Sequence, residues 1–451
     1  MHAIDDTLKL QEVNCFHALS QLNFVTALGR VQRVLGTMVE GLVPNGSIGE
    51  LCEIFHPNDV NAKVLCEVVG FTEESFLLSQ LMPLEGISPS YLIRPLRRVH
   101  SIHVGKHLLG RILDGFGKPL DGVLAPFETA THASEQAVIR SAPLPNERPR
   151  IQEKFITGVR SIDGLLTLGR GQRVGIFAGP GCGKTTLMAA IGRGSNTDVL
   201  VLGLIGERGR EIREFTEHEL DPELLKRTIL VCATSDRTSI ERVRAAFTAT
   251  AIAEGLRDQG FSVLLMRYSL TRLARAQREI GLAAGEVPAR AGFPPSVYAL
   301  LPRLIERSGA TTNGSITAIY TVLLEGDIKS DPISEEAVSL LDGHILLSRK
   351  LAEQGHYPAV DVLPSISRIM SNITDEKHKR AASKIRYILS SYREVELLIR
   401  LGEYRTGVDP AMDKVVKLYP AVINFLRQNT RTSNDWDDTL QQIQELTHDI
   451  A

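Results

Sequence analysis

Ala178-Gly179-Pro180-Gly181-Cys182-Gly183-Lys184-Thr185-Thr186 is the stretch of this 451-residue chain with the most explicit chemistry. It follows a strand-like apolar run, 174–177, and precedes a helix-forming one, Leu187-Met188-Ala189-Ala190. Glycines in such a loop let backbone N–H groups turn inward around phosphate oxygens, and the N-terminus of the following helix adds positive potential. The spacing matches the P-loop, with Ala178 where the strict pattern has glycine. On that reading Gly179, Pro180, Gly181, Cys182 and Gly183 cradle the phosphates with Lys184, Thr185 and Thr186; Lys184 reaches the β- and γ-phosphates and Thr185 ligates Mg²⁺. The competing reading, an incidental Gly-rich turn, is disfavoured because strand, loop and helix fall in the required order.

Gly206-Glu207-Arg208-Gly209-Arg210-Glu211 directly follows another apolar run, 199–205. Residues just past the carboxyl ends of parallel strands line the ligand crevice of an α/β sheet, so Glu207 is placed to face the same phosphates. A carboxylate there can orient or polarise an attacking water. Taken alone, the same acidic and basic cluster is also what a solvated helix start looks like.

Holding these residues together takes alternating strands and helices. Between about 151 and 370, apolar runs at 173–178, 199–205, 228–232, 262–266, 316–322 and 343–347 are separated by helix-compatible segments such as 239–254 and 270–280. The alternation predicts a mainly parallel sheet covered by helices. From Phe24 to about Arg98, short runs of Val, Ile and Leu are broken by Gly29, Gly36, Pro44-Asn45-Gly46, Gly49, Pro57-Asn58, Gly70 and Pro83, the pattern of a small β-barrel or sandwich. Residues 99–150 lead from it into the next domain. Beyond Ser371 the pattern is helical: 375–402 carries Ile385, Ile388, Leu389, Tyr392, Val395, Leu398 and Ile399 at helical spacing, and stretches 410–428 and 435–449 follow.

Composition bounds the alternatives. With 43% hydrophobic and 23% charged residues and a net charge of −2, the chain is of ordinary globular type and carries no basic signature of nucleic-acid binding. The cysteines, Cys15, Cys52, Cys66, Cys182 and Cys232, are odd in number and scattered, so neither a disulfide framework nor a zinc site is expected, and a reducing cytosol is the natural home. Apolar runs such as 199–205 and 263–266 fall far short of the ~20 residues of a membrane span. Asp5 and Asp6 stand where a secretory signal would be basic, so the chain is expected to be neither inserted nor secreted by that route.

Gly158-Val159-Arg160-Ser161-Ile162-Asp163, Gly171-Gln172-Arg173, the P-loop, Ile205-Gly206-Glu207-Arg208-Gly209-Arg210-Glu211, Ala276-Gln277-Arg278-Glu279-Ile280-Gly281, Pro294-Pro295-Ser296-Val297 and Leu341-Asp342-Gly343-His344 together resemble the ATPases of type III secretion. So does the run from Gly355-His356-Tyr357-Pro358-Ala359-Val360-Asp361 to Ser365-Ile366-Ser367-Arg368. These ATPases are relatives of the catalytic subunits of rotary ATP synthases. The likeness covers residues 24–430, with its motifs in order. Tyr392-Arg393-Glu394-Val395-Glu396-Leu397-Leu398-Ile399 and Gly402-Glu403-Tyr404 are more similar to the injectisome branch than to the flagellar export branch.

The resemblance implies an α/β fold: a RecA-like P-loop NTPase core with an N-terminal small β-barrel and a C-terminal α-helical domain. The expected divisions are an N-terminal helix or arm over 1–22, a barrel joining subunits over 23–98, the ATPase domain over 99–370, and a helical domain over 371–451 that meets substrates, chaperones and a stalk. It implies a cytoplasmic, Mg²⁺-dependent ATPase in a homohexamer, peripheral at the inner membrane beside the export gate, that hydrolyses ATP to free export substrates from chaperones and unfold them. A stator and a central stalk are the implied partners. Carried over, Lys184 and Thr185 bind phosphate and Mg²⁺, Glu207 activates water, Arg208 supports the γ-phosphate and Tyr357 packs on the adenine. Arg368 matches the arginine finger that reaches the nucleotide of a neighbouring subunit. An ordinary core tyrosine and an ordinary surface arginine are the plain alternatives for the last two.

One position departs. In the family an aspartate precedes the Ser269-Leu270-Thr271-Arg272 run, and here that residue is Tyr268, after Arg267. The missing aspartate is the Walker B acid that helps to hold Mg²⁺ and its waters. A phenol is neutral at pH 7 and does not replace that charge. Asp236 is a candidate compensating carboxylate. The departure raises a second expectation, a nucleotide-binding structural ring component with weak or lost hydrolysis. A third, an RNA-directed hexameric translocase, is disfavoured by the charge and by the want of an aromatic and basic strip.

Overall fold

The short apolar runs of the first hundred residues pair with one another. Strands Gly29–Leu35, Met38–Leu42, Glu50–His56, Asp59–Phe71, Phe76–Gln80 and Leu92–Val99 close into an antiparallel barrel. Val31, Val39, Ile54, Val64, Val68, Leu78 and Ile93 fill it, together with Cys52 and Cys66. A Cβ at Gly41 would sit 2.5 Å from Ile93 Cδ1, so that strand needs glycine to let the barrel close. The computed structural model describes residues 27–35, 38–81, 86–120, 133–324, 326 and 328–448. The helix or arm expected over 1–22 lies outside the described residues. The chain divides into two units, Met1–His100 and Ser101–Ala451.

The second unit is built on one sheet. Among the described residues its strands run in the order Val360–Ser367, Gly343–Leu347, Arg173–Ala178, Ser315–Leu323, Ser262–Tyr268, Val199–Glu207, Thr228–Thr234 and Ile112–Leu113. Neighbours are parallel except at the Val360–Ser367 edge, which is antiparallel. All nine positions of Val199–Glu207 are buried, as a strand covered on both faces requires.

Alternation along the strands sorts the side chains into two cores. Leu200, Leu202, Leu204, Leu264 and Met266 face one side, with Leu187, Met188 and Ile191 of the helix Lys184–Gly194. Val199, Val201, Ile205, Val263 and Leu265 face the other, under the helices Ser239–Asp258, Leu270–Ala283 and Pro295–Ile305. The C-terminal helices Glu376–Leu401, Pro410–Leu426 and Trp436–Thr447 put Ile385, Ile388, Val415, Val422, Phe425 and Ile443 into the first core. They therefore share a core with the helix that follows the P-loop instead of forming a separate one. Asp375, Asp409 and Asp435 start these helices by accepting first-turn backbone N–H groups.

Three strands run two residues past the ends that their apolar runs suggest: 199–205 continues to Glu207, 228–232 to Thr234 and 262–266 to Tyr268. Pairing carries the polar ends onward, with Leu204 opposite Tyr268 and Glu207 opposite Thr234. The Val360–Ser367 edge strand is not among the six apolar runs read as strands of the sheet, although the plain reading of Arg368 sets it after a strand. No helix among the described residues is long and apolar enough to cross a membrane.

Candidate functional site

The P-loop joins the strand Arg173–Ala178 to the helix Lys184–Gly194 at the carboxyl edge of the sheet. Gly183 holds the helix start in the left-handed region, φ +77°, and makes no side-chain cap. Glycine suits that conformation, and the open first-turn N–H groups are what an anion would meet. A Cβ on Gly183 would come within 3.2 Å of Tyr357 Cε1, so glycine here also lets the tyrosine ring approach the loop.

Lys184 is buried, and its Nζ lies 4.5 Å from the Tyr268 ring centroid. Burial pushes the ammonium down to about 8, opposed by the nearby Glu207 carboxylate. The Tyr268 hydroxyl is 3.3 Å from Thr185 Oγ1, and burial raises this phenol above its ordinary range. Glu207, also buried, accepts a 2.6 Å bond from Arg272 Nε. Burial raises the Glu207 carboxyl and the arginine opposes that rise. Thr185, Glu207 and Tyr268 open onto a cavity of about 300 Å³ lined also by Thr186, Glu211 and Glu219, among others. A second space, about 340 Å³, lies between Tyr357 and the loop 428–430, with Gly183 and Thr186 at its floor.

The structure thus gathers Gly183, Lys184, Thr185, Thr186, Glu207, Tyr268 and Tyr357 about the P-loop. Gly179, Pro180, Gly181 and Cys182 form the loop itself, whereas Arg208, Asp236 and Arg368 lie elsewhere. Arg208 is exposed, pairs with Glu211 at 3.8 Å and does not line the cavity. Asp236 is exposed beyond the strand Thr228–Thr234, its carboxyl held low chiefly by the Thr234 hydroxyl, and it too is absent from the cavity wall. Arg368 is exposed at the other end of the sheet. Its backbone N–H bonds Asp342 O, and Ser367 pairs with Gly343, which lies at the end of its strand remote from the P-loop. A strand length, roughly 20 Å for six residues, separates the two edges.

Sequence reading missed Arg272, the clamp on Glu207. A signal was available, because Ser269 caps the helix Leu270–Ala283 and so puts Arg272 in its first turn at the carboxyl edge. The wall 428–430 carried none, since a loop between two helices has no periodicity to read. Arg267 faces away from the P-loop, fully buried, with Nε, Nη1 and Nη2 lacking a hydrogen-bond partner and the Tyr320 ring 5.5 Å away.

Mg²⁺ prefers oxygen ligands, keeps several waters and usually takes one or two carboxylates plus substrate phosphates. Thr185, Glu207 and the acid-lined cavity suit a metal carried on a nucleotide, although the strand end offers a phenol where a carboxylate would serve. Among the described residues no group of three His, Cys, Asp or Glu forms a ready-made metal cage.

A P-loop on a parallel sheet with a glutamate at a neighbouring strand end defines a nucleotide-binding domain of the P-loop class. Residues 158–367 match the nucleotide-binding domain of the ATP synthase alpha/beta family, and residues 374–445 the C-terminal domain of the type 3 secretion ATPase EscN. A type 3 secretion system ATPase of Pseudomonas syringae pv. syringae is 54% identical over 434 residues, 96% of each chain. The flagellum-specific ATP synthase of Bacillus subtilis is 48% identical over 419 residues, 93% of this chain and 95% of that one. Assembled EscN in complex with its central stalk EscO, from enteropathogenic E. coli, superposes with a TM-score of 0.85 at 43% identity, covering 93% of this chain and 99% of EscN. The chain belongs to the type 3 secretion system ATPase family.

Proposed function

We propose that this chain hydrolyses ATP with Mg²⁺ to energise type III protein secretion. The observation that carries the reading is the cavity beside the P-loop, lined by Thr185 and Glu207, with the buried Lys184 ammonium close enough to feel the Glu207 carboxylate. Gly179, Pro180, Gly181, Cys182 and Gly183 wrap the phosphates, Lys184 neutralises the β- and γ-oxygens, and Thr186 borders both the phosphate and the base spaces. Glu207, held by Arg272, orients the attacking water. A bound Mg²⁺ would be held on the protein side by Thr185 and would supply charge neutralisation at the transferred phosphoryl group. Tyr357 takes the adenine on its exposed face.

Arg368 is out of reach of its own P-loop, so it acts on a neighbouring subunit's nucleotide. Arg208 joins the γ-phosphate in the same assembled site. A homohexamer with sites at its interfaces follows, the barrel 23–98 joining subunits and the helices beyond 371 meeting chaperones, substrates and a stalk; the structure of EscN with its central stalk EscO supports a stalk as a partner. The assembly sits at the cytoplasmic face of the inner membrane, with a stator and the export gate as further partners. A second reading, slow turnover in a ring that chiefly binds nucleotide, is favoured by the Tyr268 hydroxyl on Thr185. Lys184→Ala tests the function directly. ATP turnover should fall below a few percent of wild type with the fold intact by circular dichroism, and retained turnover would remove the P-loop from the mechanism.

A further inference from the structure

Arg193 lies in the last turn of the helix Lys184–Gly194, well away from the P-loop that opens it. Each of its guanidinium nitrogens is committed. Nε donates to Asp221 Oδ2 at 3.1 Å, Nη2 to the Glu219 carbonyl at 3.1 Å and Nη1 to the Thr430 carbonyl at 2.8 Å. Glu219 lines the acid-rich cavity and meets Thr186 Oγ1 at 3.4 Å. Thr430 belongs to the wall that faces Tyr357 across the second space. Arg193 therefore stands where the wall of the phosphate cavity and the wall of the Tyr357 space meet.

The 428–430 wall is otherwise held at its near end. Gln428 N donates to the Tyr357 carbonyl at 2.9 Å, its Nε2 to the Gly158 carbonyl at 2.7 Å, and its Oε1 accepts from Arg160 N at 2.9 Å. Arg193 holds the far end. A planar fork with several donors is suited to fixing a backbone carbonyl and two other acceptors at once, which a lysine ammonium does less well.

We propose that Arg193 is a positioning residue for the nucleotide's base: by fixing Thr430 it sets the width of the slot between Tyr357 and the 428–430 wall, and by gripping Glu219 and Asp221 it ties that slot to the phosphate cavity. The ligand class is a purine nucleotide, whose ring enters the slot while its phosphates lie on the P-loop. The inference rests on the P-loop reading given above. The wall is the connection between two C-terminal helices, Pro410–Leu426 and Trp436–Thr447.

Two probes separate the base from the phosphates: ADP, which has both, and inorganic pyrophosphate, which has no base. Their affinities are measured by calorimetry on the full chain and on Arg193→Gln, Arg193→Lys and Tyr357→Leu. Arg193→Gln should weaken ADP roughly tenfold while leaving pyrophosphate within about twofold, with Arg193→Lys in between. Tyr357→Leu should show the same split, and the double variant should lose little more than either single one, because both act through the same slot. Equal loss of both probes, no loss of ADP, or fully additive losses would overturn the assignment of Arg193. Failure of wild type to bind pyrophosphate would instead overturn the P-loop reading on which it rests.

Discussion

At the scale of single residues, Lys184 makes the sharpest statement. Its ammonium is buried and pushed down to about 8, so its charge is present in full only below that pH. The folded-state pKa lies below the unfolded one, so burying the charge costs stability at lower pH, and the chain gains stability as pH rises from about 8 toward the ordinary lysine range. Phosphate binding works the other way, because it needs the protonated form. ADP affinity should therefore fall as pH climbs through about 8, by up to roughly tenfold per unit, and binding above that pH should take up a proton. Calorimetry in buffers of different ionisation enthalpy measures both. Lys184→Arg should flatten the profile, since guanidinium does not titrate in this range. A wild-type affinity that is flat across the range would mean that phosphate does not contact this ammonium. Glu207 is subtler. Burial and the Arg272 bond pull its carboxyl in opposite directions, and burial prevails, leaving it raised but clamped.

At the scale of elements, the strand Ser262–Tyr268 decides how well the site works. Alternation places Tyr268 on the P-loop face and Arg267 on the opposite one, so neighbouring residues in sequence act in different cores. Arg267 carries the cost of a buried guanidinium without a hydrogen-bond partner, and burial lowers it to about 10. Tyr268 puts a neutral phenol where a strand-end carboxylate would act. Replacing it by Asp restores one preorganised charge, so Tyr268→Asp should raise kcat by on the order of 10²–10³ with ADP affinity changed little. Unchanged turnover in steady-state assays, followed by a severe loss in Asp236→Asn, would move the metal-side acid to Asp236; no change in either would detach this strand end from the metal site. Much of this was legible in sequence. The P-loop, the six apolar runs of the sheet and the departure at Tyr268 are local signals of type and spacing, and each strand stands where its run suggested. The edge strand Val360–Ser367 was not, because its alternation is broken by Pro364 and its burial is uneven. Nor was the 428–430 wall, whose place beside Tyr357 depends on where the C-terminal helices fold back.

At the scale of the whole molecule, the proposed mechanism draws on both edges of one sheet. Glu207 lies with the P-loop and Arg368 at the far edge, so on the proposed reading a single chain would bring half of the site to each of two neighbours. The C-terminal helices share their core with the P-loop helix, which gives contacts made on those helices a short mechanical path to the nucleotide. An assembly of identical chains then needs no separate catalytic partner, and the most direct test of that claim is to mix two chains that are each inactive. Glu207→Gln and Arg368→Ala, assembled together in equal amounts, should regain ATP turnover at roughly a quarter of their interfaces, those where an intact Glu207 meets an intact Arg368. Mixed assemblies that form and remain as inactive as either parent would contradict a site shared between subunits.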